Sequence, residues 1–121
     1  MLFRSDFCFV ANAVQANLLA ALAPDDAQGE VFNVAVGERT TLNQLFALLK
    51  EGLERNGRHA PGEATYGPFR DGDVRHSEAD VSKAARLLGY DPTHDVAAGI
   101  AEALPWYLAR RDGTGNELHN G

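Results

Sequence analysis

The chain has 121 residues, enough for one domain or a piece of one, and its 45% hydrophobic content allows a real core. Its formal net charge is −6 and its 11 Lys and Arg form no stripe, which argues against nucleic acid and anionic membrane as partners. A single cysteine rules out an internal disulfide, and the 4 histidines are scattered, with no carboxylate or thiol at metal-ligand spacing.

Residues 1–6 reach an acid almost at once and lack the basic start and apolar run of a signal peptide, and no segment is long and apolar enough to span a bilayer. The expected location is cytoplasmic. Cys8 reads as a small buried hydrophobe. Residues 7–10 form a short apolar run of strand type. Asn12 has the chemistry of an N-cap, and Val14, Leu18, Ala21 and Leu22 fall on one face of the helix that follows, which ends near Ala23 and Pro24. After a polar turn, residues 31–36 (VFNVAV) are too short for a helix, rich in β-branched residues and apolar on both faces. That pattern predicts a strand covered on both sides, of the kind found inside α/β sheets.

Thr41 and Gln44 have capping-box spacing, in which hydroxyl and amide each satisfy an orphan N–H of the first turn. The helix they open is predicted to run to Arg55, buried through Leu42, Leu45, Phe46, Leu49 and Leu53. Residues 56–69 are Gly/Pro-rich and predict a loop, with a brief strand near Thr65 and Tyr66. A polar segment follows, Arg70-Asp71-Gly72-Asp73, then Val74, Arg75, His76 and Ser77. Asp80 is the expected cap of a helix buried through Val81, Ala84, Ala85 and Leu88 and ended by Gly89. A last helix is predicted over residues 95–110, buried through Val96, Ile100, Leu104 and Leu108, with Pro105 inside it and Gly99 and Trp106 packing it. Residues 111–121 read as a flexible tail, leaving 1–110 as the folded unit.

About four helices and one or two short strands define a helix-rich α/β chain. A strand apolar on both faces needs neighbours and two covering layers, which this chain does not supply. The expectation is part of a larger sheet, and a chain that is marginal or oligomeric on its own. Arg70 and Asp73 flank a glycine in a short loop. A guanidinium grips phosphate oxygens in a fork, and a carboxylate accepts hydrogen bonds from sugar hydroxyls. The same spacing also makes an ordinary surface turn.

Taken in order, the segments 5–10 (SDFCFV), 14–17 (VQAN), 31–42 (VFNVAVGERTTL), 70–77 (RDGDVRHS), 87–90 (LLGY) and 105–107 (PWY) resemble the C-terminal part of the extended short-chain dehydrogenase/reductases, the NAD-dependent epimerase/dehydratase family. Within it they most resemble the UDP-N-acetylglucosamine 4-epimerases. The resemblance implies a nucleotide-sugar-binding portion, and it places Arg70 on the diphosphate and Asp73 on the ribose hydroxyls. The family reads Ser-Arg-Asp-Phe where this chain has Arg4, Ser5, Asp6 and Phe7, so a second phosphate-gripping arginine, Arg4, stands one place early. Arg39, after an apolar segment and Gly37, lies where α/β proteins often bind ligands.

In the complete family enzyme the resemblance implies NAD on an N-terminal Rossmann portion and a tyrosine base followed four residues later by lysine. Here no G-x-G-x-x-G opens a helix, and Tyr66, Tyr90 and Tyr107 are followed at that spacing by Arg70, His94 and Arg111. No catalytic or cofactor-binding residue and no metal ligand is therefore assigned, and this chain alone is not expected to turn over. The expected partners are a UDP-sugar and either the Rossmann portion or a second copy. The alternatives are a non-catalytic remnant or interaction module, and a portion of a nucleotide-sugar dehydratase or decarboxylase.

Overall fold

The capping signal at Thr41 is realised in full in the computed structural model, which describes residues 4–60, 62–68, 71 and 76–114. Thr41 Oγ1 accepts from the Gln44 N–H at 3.1 Å, and Gln44 Oε1 accepts from the Thr41 N–H at 2.8 Å. Between them they start helix α2 (Leu42–Arg55), with the predicted boundaries. The other elements are β1 (Arg4–Ser5), α1 (Val10–Ala21), a 3-10 turn at Asp25–Ala27, β2 (Thr40–Thr41), α3 (Ser82–Leu88) and α4 (Val96–Thr114). β1 and β2 pair antiparallel, Arg4 against Thr41 and Ser5 against Thr40. Among the described residues, four helices and a two-stranded sheet make the helix-rich fold that the pattern predicts. No described helix is long and apolar enough to cross a membrane.

The core is small and built from small residues. Ala16 of α1, Ala84 of α3 and Tyr90 are buried together, with Leu19, Phe32, Val34 and Val81 against them. Alanine at both contact positions lets α1 and α3 approach closely. α4 leans on the rest of the chain through two glycines. A Cβ on Gly99 would stand 2.9 Å from Phe9 Cβ, and one on Gly52 of α2 would stand 2.7 Å from Leu104 Cδ2. Val96, Ile100, Leu104 and Leu108 are half-buried, as their spacing predicts. α3 ends at Gly89, whose φ of 71° is open to glycine at little steric cost.

Several expectations are corrected. Residues 31–36 form no strand. Side chains meet three of their backbone groups: Asp6 the Val36 N–H, Tyr90 the Ala35 carbonyl and Lys83 the Val31 carbonyl. Residues 7–10 and 65–66 are not strands either; the N-terminal strand lies earlier, at Arg4–Ser5. Asn12 is not an N-cap, because α1 begins two residues before it and Phe9 holds the cap position. The face carrying Val14, Leu18 and Leu22 is exposed, whereas Asn12 and Ala16 are buried. Asp80 does not cap α3 from the cap position, which Val81 holds; its Oδ1 accepts from the Ser82 N–H at 2.9 Å from one residue upstream. Trp106 does not pack α4 against the body. It is 55% exposed, under the Arg110 guanidinium at 4.7 Å and edge-on to Tyr107. Cys8 is exposed. α4 continues to Thr114, four residues into the expected tail, and residues 115–121 lie outside the described residues.

Candidate functional site

Three stretches distant in sequence meet around the carboxylate of Asp6. Its Oδ1 accepts from the Val36 N–H at 3.0 Å, and its Oδ2 accepts from the Gly37 N–H at 3.0 Å and the Ala79 N–H at 3.3 Å. Charge-assisted bonds to backbone donors are among the stronger hydrogen bonds a protein makes. Gly37 has φ 80°, a left-handed conformation that turns the chain from residues 31–36 toward β2. The segment leaving the 70–75 region is held from the same side. Ser77 N–H donates to the Arg4 carbonyl at 2.9 Å, and Arg4 makes a parallel bridge with His76.

Tyr90 completes the clasp from below. It is buried, and its hydroxyl donates to the Ala35 carbonyl at 2.6 Å. Burial, then the neighbouring Cys8 and Asp6, push its pKa up to about 12. An unfolded tyrosine ionises near pH 10, so the folded state binds the proton more tightly. The resulting stabilisation is whole below pH 10 and is lost as pH rises through about 12. Denaturant titrations from pH 9 to 12 should show the wild type losing stability along this limb. Tyr90→Phe should lack that loss and cost about 1 kcal/mol at neutral pH through the missing hydrogen bond. An unchanged alkaline limb in the variant would contradict this assignment.

The candidate ligand groups lie around this clasp. Arg4 is exposed on β1, its backbone joined to His76 and Thr41. Arg39 Nε pairs with Glu78 Oε2 at 2.6 Å, both side chains about half exposed. Arg39 also lines a cleft of about 400 Å³ with Thr40, Gln44 and Glu51, and a second cleft of about 460 Å³ lies between Gly37 and residues 78–82. Both clefts carry acids, so a bound phosphate there would rely on arginines to offset Glu78, Asp80 and Glu51. Arg70 and Asp73 lie outside the described residues. The structure therefore gathers Arg4, Arg39 and the stem at residues 76–79. Sequence reasoning missed Asp6 and Tyr90, although an acid directly before an apolar run and a tyrosine directly after a helix-ending glycine were both visible signals. Among the described residues no cluster of His, Cys, Asp and Glu is arranged to hold a metal.

No protein-family model matches the chain. A putative UDP-glucose 4-epimerase of Methanocaldococcus jannaschii is 32% identical over 101 residues, which is 84% of this chain and 30% of the relative. The crystal structure of UDP-glucose 4-epimerase from Thermotoga maritima with UDP-glucose superposes with a TM-score of 0.78 at 37% identity, over 89% of this chain and 32% of that one. Among the relatives are sugar-nucleotide 4-epimerases and a dTDP-glucose 4,6-dehydratase of Actinoplanes. This chain belongs to the NAD-dependent epimerase/dehydratase family. It has the fold of that family's C-terminal portion. UDP-N-acetylglucosamine 4-epimerase from Methanobrevibacter ruminantium, solved with UDP-N-acetylmuramic acid, is 29% identical with a TM-score of 0.70, over 87% of this chain and 31% of that one. Other neighbours were solved with NAD. The chain spans about 30% of the length of the curated relatives it first matches.

Proposed function

We propose that this chain is the nucleotide-sugar-binding portion of an NAD-dependent 4-epimerase acting on a UDP-hexose. The observation that carries the reading is the likeness, over 89% of the chain, to an epimerase structure holding UDP-glucose. Arg70 is assigned to the diphosphate and Asp73 to the ribose hydroxyls. Arg4 is a further cation on β1, next to the stem of that loop. Arg39 could add its charge only by exchanging Glu78 for ligand. The hexose proposed is UDP-N-acetylglucosamine, supported by the motif likeness in segments 5–10 and 70–77; the T. maritima likeness keeps UDP-glucose as its direct competitor.

The residues present do not fit a dinucleotide. The sequence has no glycine-rich turn leading into a helix, and no tyrosine is followed four residues on by lysine. NAD, when bound in the family's enzymes, would supply hydride transfer at the sugar. This chain's own residues would bind and orient the UDP end, and catalysis would need the cofactor-binding portion or a partner that carries it.

Calorimetric titration of the chain with UDP, UDP-glucose and UDP-N-acetylglucosamine tests the assignment. Saturable binding is expected, weakened at least tenfold by Arg70→Ala, since a charge-assisted contact of about 1.5–3 kcal/mol is lost. The N-acetylated sugar is expected to bind more tightly than UDP-glucose. Silence at millimolar ligand, or equal affinity in the variant, would overturn it.

A further inference from the structure

β1 lies between β2 and the stem at residues 76–79. Arg4 pairs with Thr41 on one side and bridges to His76 on the other. Counting on from those partners, antiparallel on one side and parallel on the other, Arg39 and Glu78 both fall at the level of Asp6. Arg39 Nε meets Glu78 Oε2 at 2.6 Å, so the ion pair reaches across the strand between them. By the same count Arg4 stands two residues earlier, about 7 Å along an extended strand. The backbone on either side of the pair is already held. Thr40 is paired to Ser5 and the Gly37 N–H is bonded to Asp6, while Ser77 is bonded to the Arg4 carbonyl and Ala79 to Asp6. Both side chains are about half exposed, and ion pairs in such places add little to stability. Glu78 lines the cleft of about 460 Å³ and Arg39 the cleft of about 400 Å³, so the pair joins two rims.

We propose that Glu78 is a built-in stand-in for phosphate: it holds Arg39 while the site is empty and gives the guanidinium up when a diphosphate enters. The proposal rests on the function given above and adds to it a positioning residue that acts on the ligand through Arg39. Carboxylate and phosphate oxygens suit the same face of a guanidinium, which can take either as a two-pronged fork. Here the contact runs from Nε to a single oxygen. A diphosphate brings more charge and more acceptor oxygens than one carboxylate, so the exchange runs in its favour. Breaking the pair costs little, because both partners already stand half in water. Once displaced, Glu78 remains as a negative charge at the rim, with Asp80 in the same cleft. Glu78 therefore lowers affinity for every ligand that must use Arg39, and it leaves a ligand without phosphate untouched.

Calorimetric titration of the full chain at low ionic strength reads the exchange. Glu78→Gln should tighten UDP binding about threefold to fivefold, the range open to a half-exposed ion pair, and leave uridine unchanged. Arg39→Gln should weaken UDP, and in that background Glu78→Gln should give no further gain. An equal gain with and without Arg39 would make Glu78 a bare repelling charge and overturn the proposal, as would a matching gain for uridine. A second readout follows the wild type itself by nuclear magnetic resonance. The Arg39 Nε–H and Glu78 carboxyl signals, assigned by their loss in the two variants, should move together as UDP or inorganic pyrophosphate is added. Glu78 should end where it stands in Arg39→Gln. UDP that binds while both signals stay still overturns the proposal and leaves the function standing. Pyrophosphate that moves both while UDP moves neither supports the exchange and counts against the function. Signals that answer to neither ligand overturn the proposal.

Discussion

Asn12→Ala is expected to lower the stability of the chain by about 3 kcal/mol in denaturant titration, more than a comparable deletion elsewhere on α1. Asn12 is fully buried, yet its amide works as a backbone surrogate. Nδ2 donates to the His94 carbonyl at 2.7 Å, and Oδ1 accepts from the Thr93 N–H at 2.9 Å and the His94 N–H at 3.2 Å. These bonds fasten the turn before α4 to the first turns of α1, 81 and 82 residues away in sequence. Truncation leaves two part-buried donors and an acceptor without their partner and opens a cavity where the buried amide stood. Asn12→Asp tests the same point by different chemistry. The carboxylate keeps the two acceptor contacts but sets an oxygen against the His94 carbonyl, so it too should destabilise. An Asn12→Ala chain within 0.5 kcal/mol of wild type would show that the turn before α4 holds without it.

The sequence was legible where local chemistry decides the outcome. Thr41 and Gln44 need only each other, so the start of α2 could be read from two residues. Gly89 ends α3 through its own backbone, and the four apolar positions of α4 follow a helical period that no neighbour overrides. Reading failed where a distant side chain takes over a backbone's hydrogen bonds. The segment 31–36 has strand composition, but Asp6 takes the Val36 amide and Tyr90 the Ala35 carbonyl, so the end of the segment is held by side chains. Asn12 looks like a cap because asparagine caps helices; its partners lie at Thr93 and His94, invisible to any local window. The exposed stripe of α1 is a different case. Its spacing was plain, but spacing cannot say whether the body that covers a face is in the same chain. Of the candidate site, Arg4 and Arg39 could be named from position, whereas the Glu78 that holds Arg39 could not, because the two meet only through the fold.

Asp6→Ala should cost about 3 kcal/mol and, unlike Asn12→Ala, should also disturb the proposed ligand site. One carboxylate holds three backbone amides from two stretches, residues 36–37 and residue 79. Without it those N–H groups lose their acceptor together. Among the described residues the stem at 76–79 then keeps its bond to the Arg4 carbonyl of β1, the Arg39–Glu78 pair and, just beyond it, the long Asn33 bond to the Asp80 carbonyl. Half-exposed ion pairs contribute on the order of 0–1 kcal/mol, too little to compensate. Asp6→Asn sharpens the test, since it keeps the shape of the side chain. The amide has one acceptor oxygen where the carboxylate has two, so its NH₂ must face at least one of the three donors. A loss of about 2 kcal/mol is expected. Hydrogen exchange at Val36, Gly37 and Ala79 should accelerate well beyond the change at amides within α2, which are fastened by the helix itself. UDP affinity should fall in parallel, because the stem at residues 76–79 keeps its bonds to Arg4 of β1 but loses the tie through Asp6 to the turn at Gly37. If Asp6→Asn kept those three amides as protected as in the wild type, the clasp would not be what joins the segments, and the site would have to be held by β1 and β2 alone.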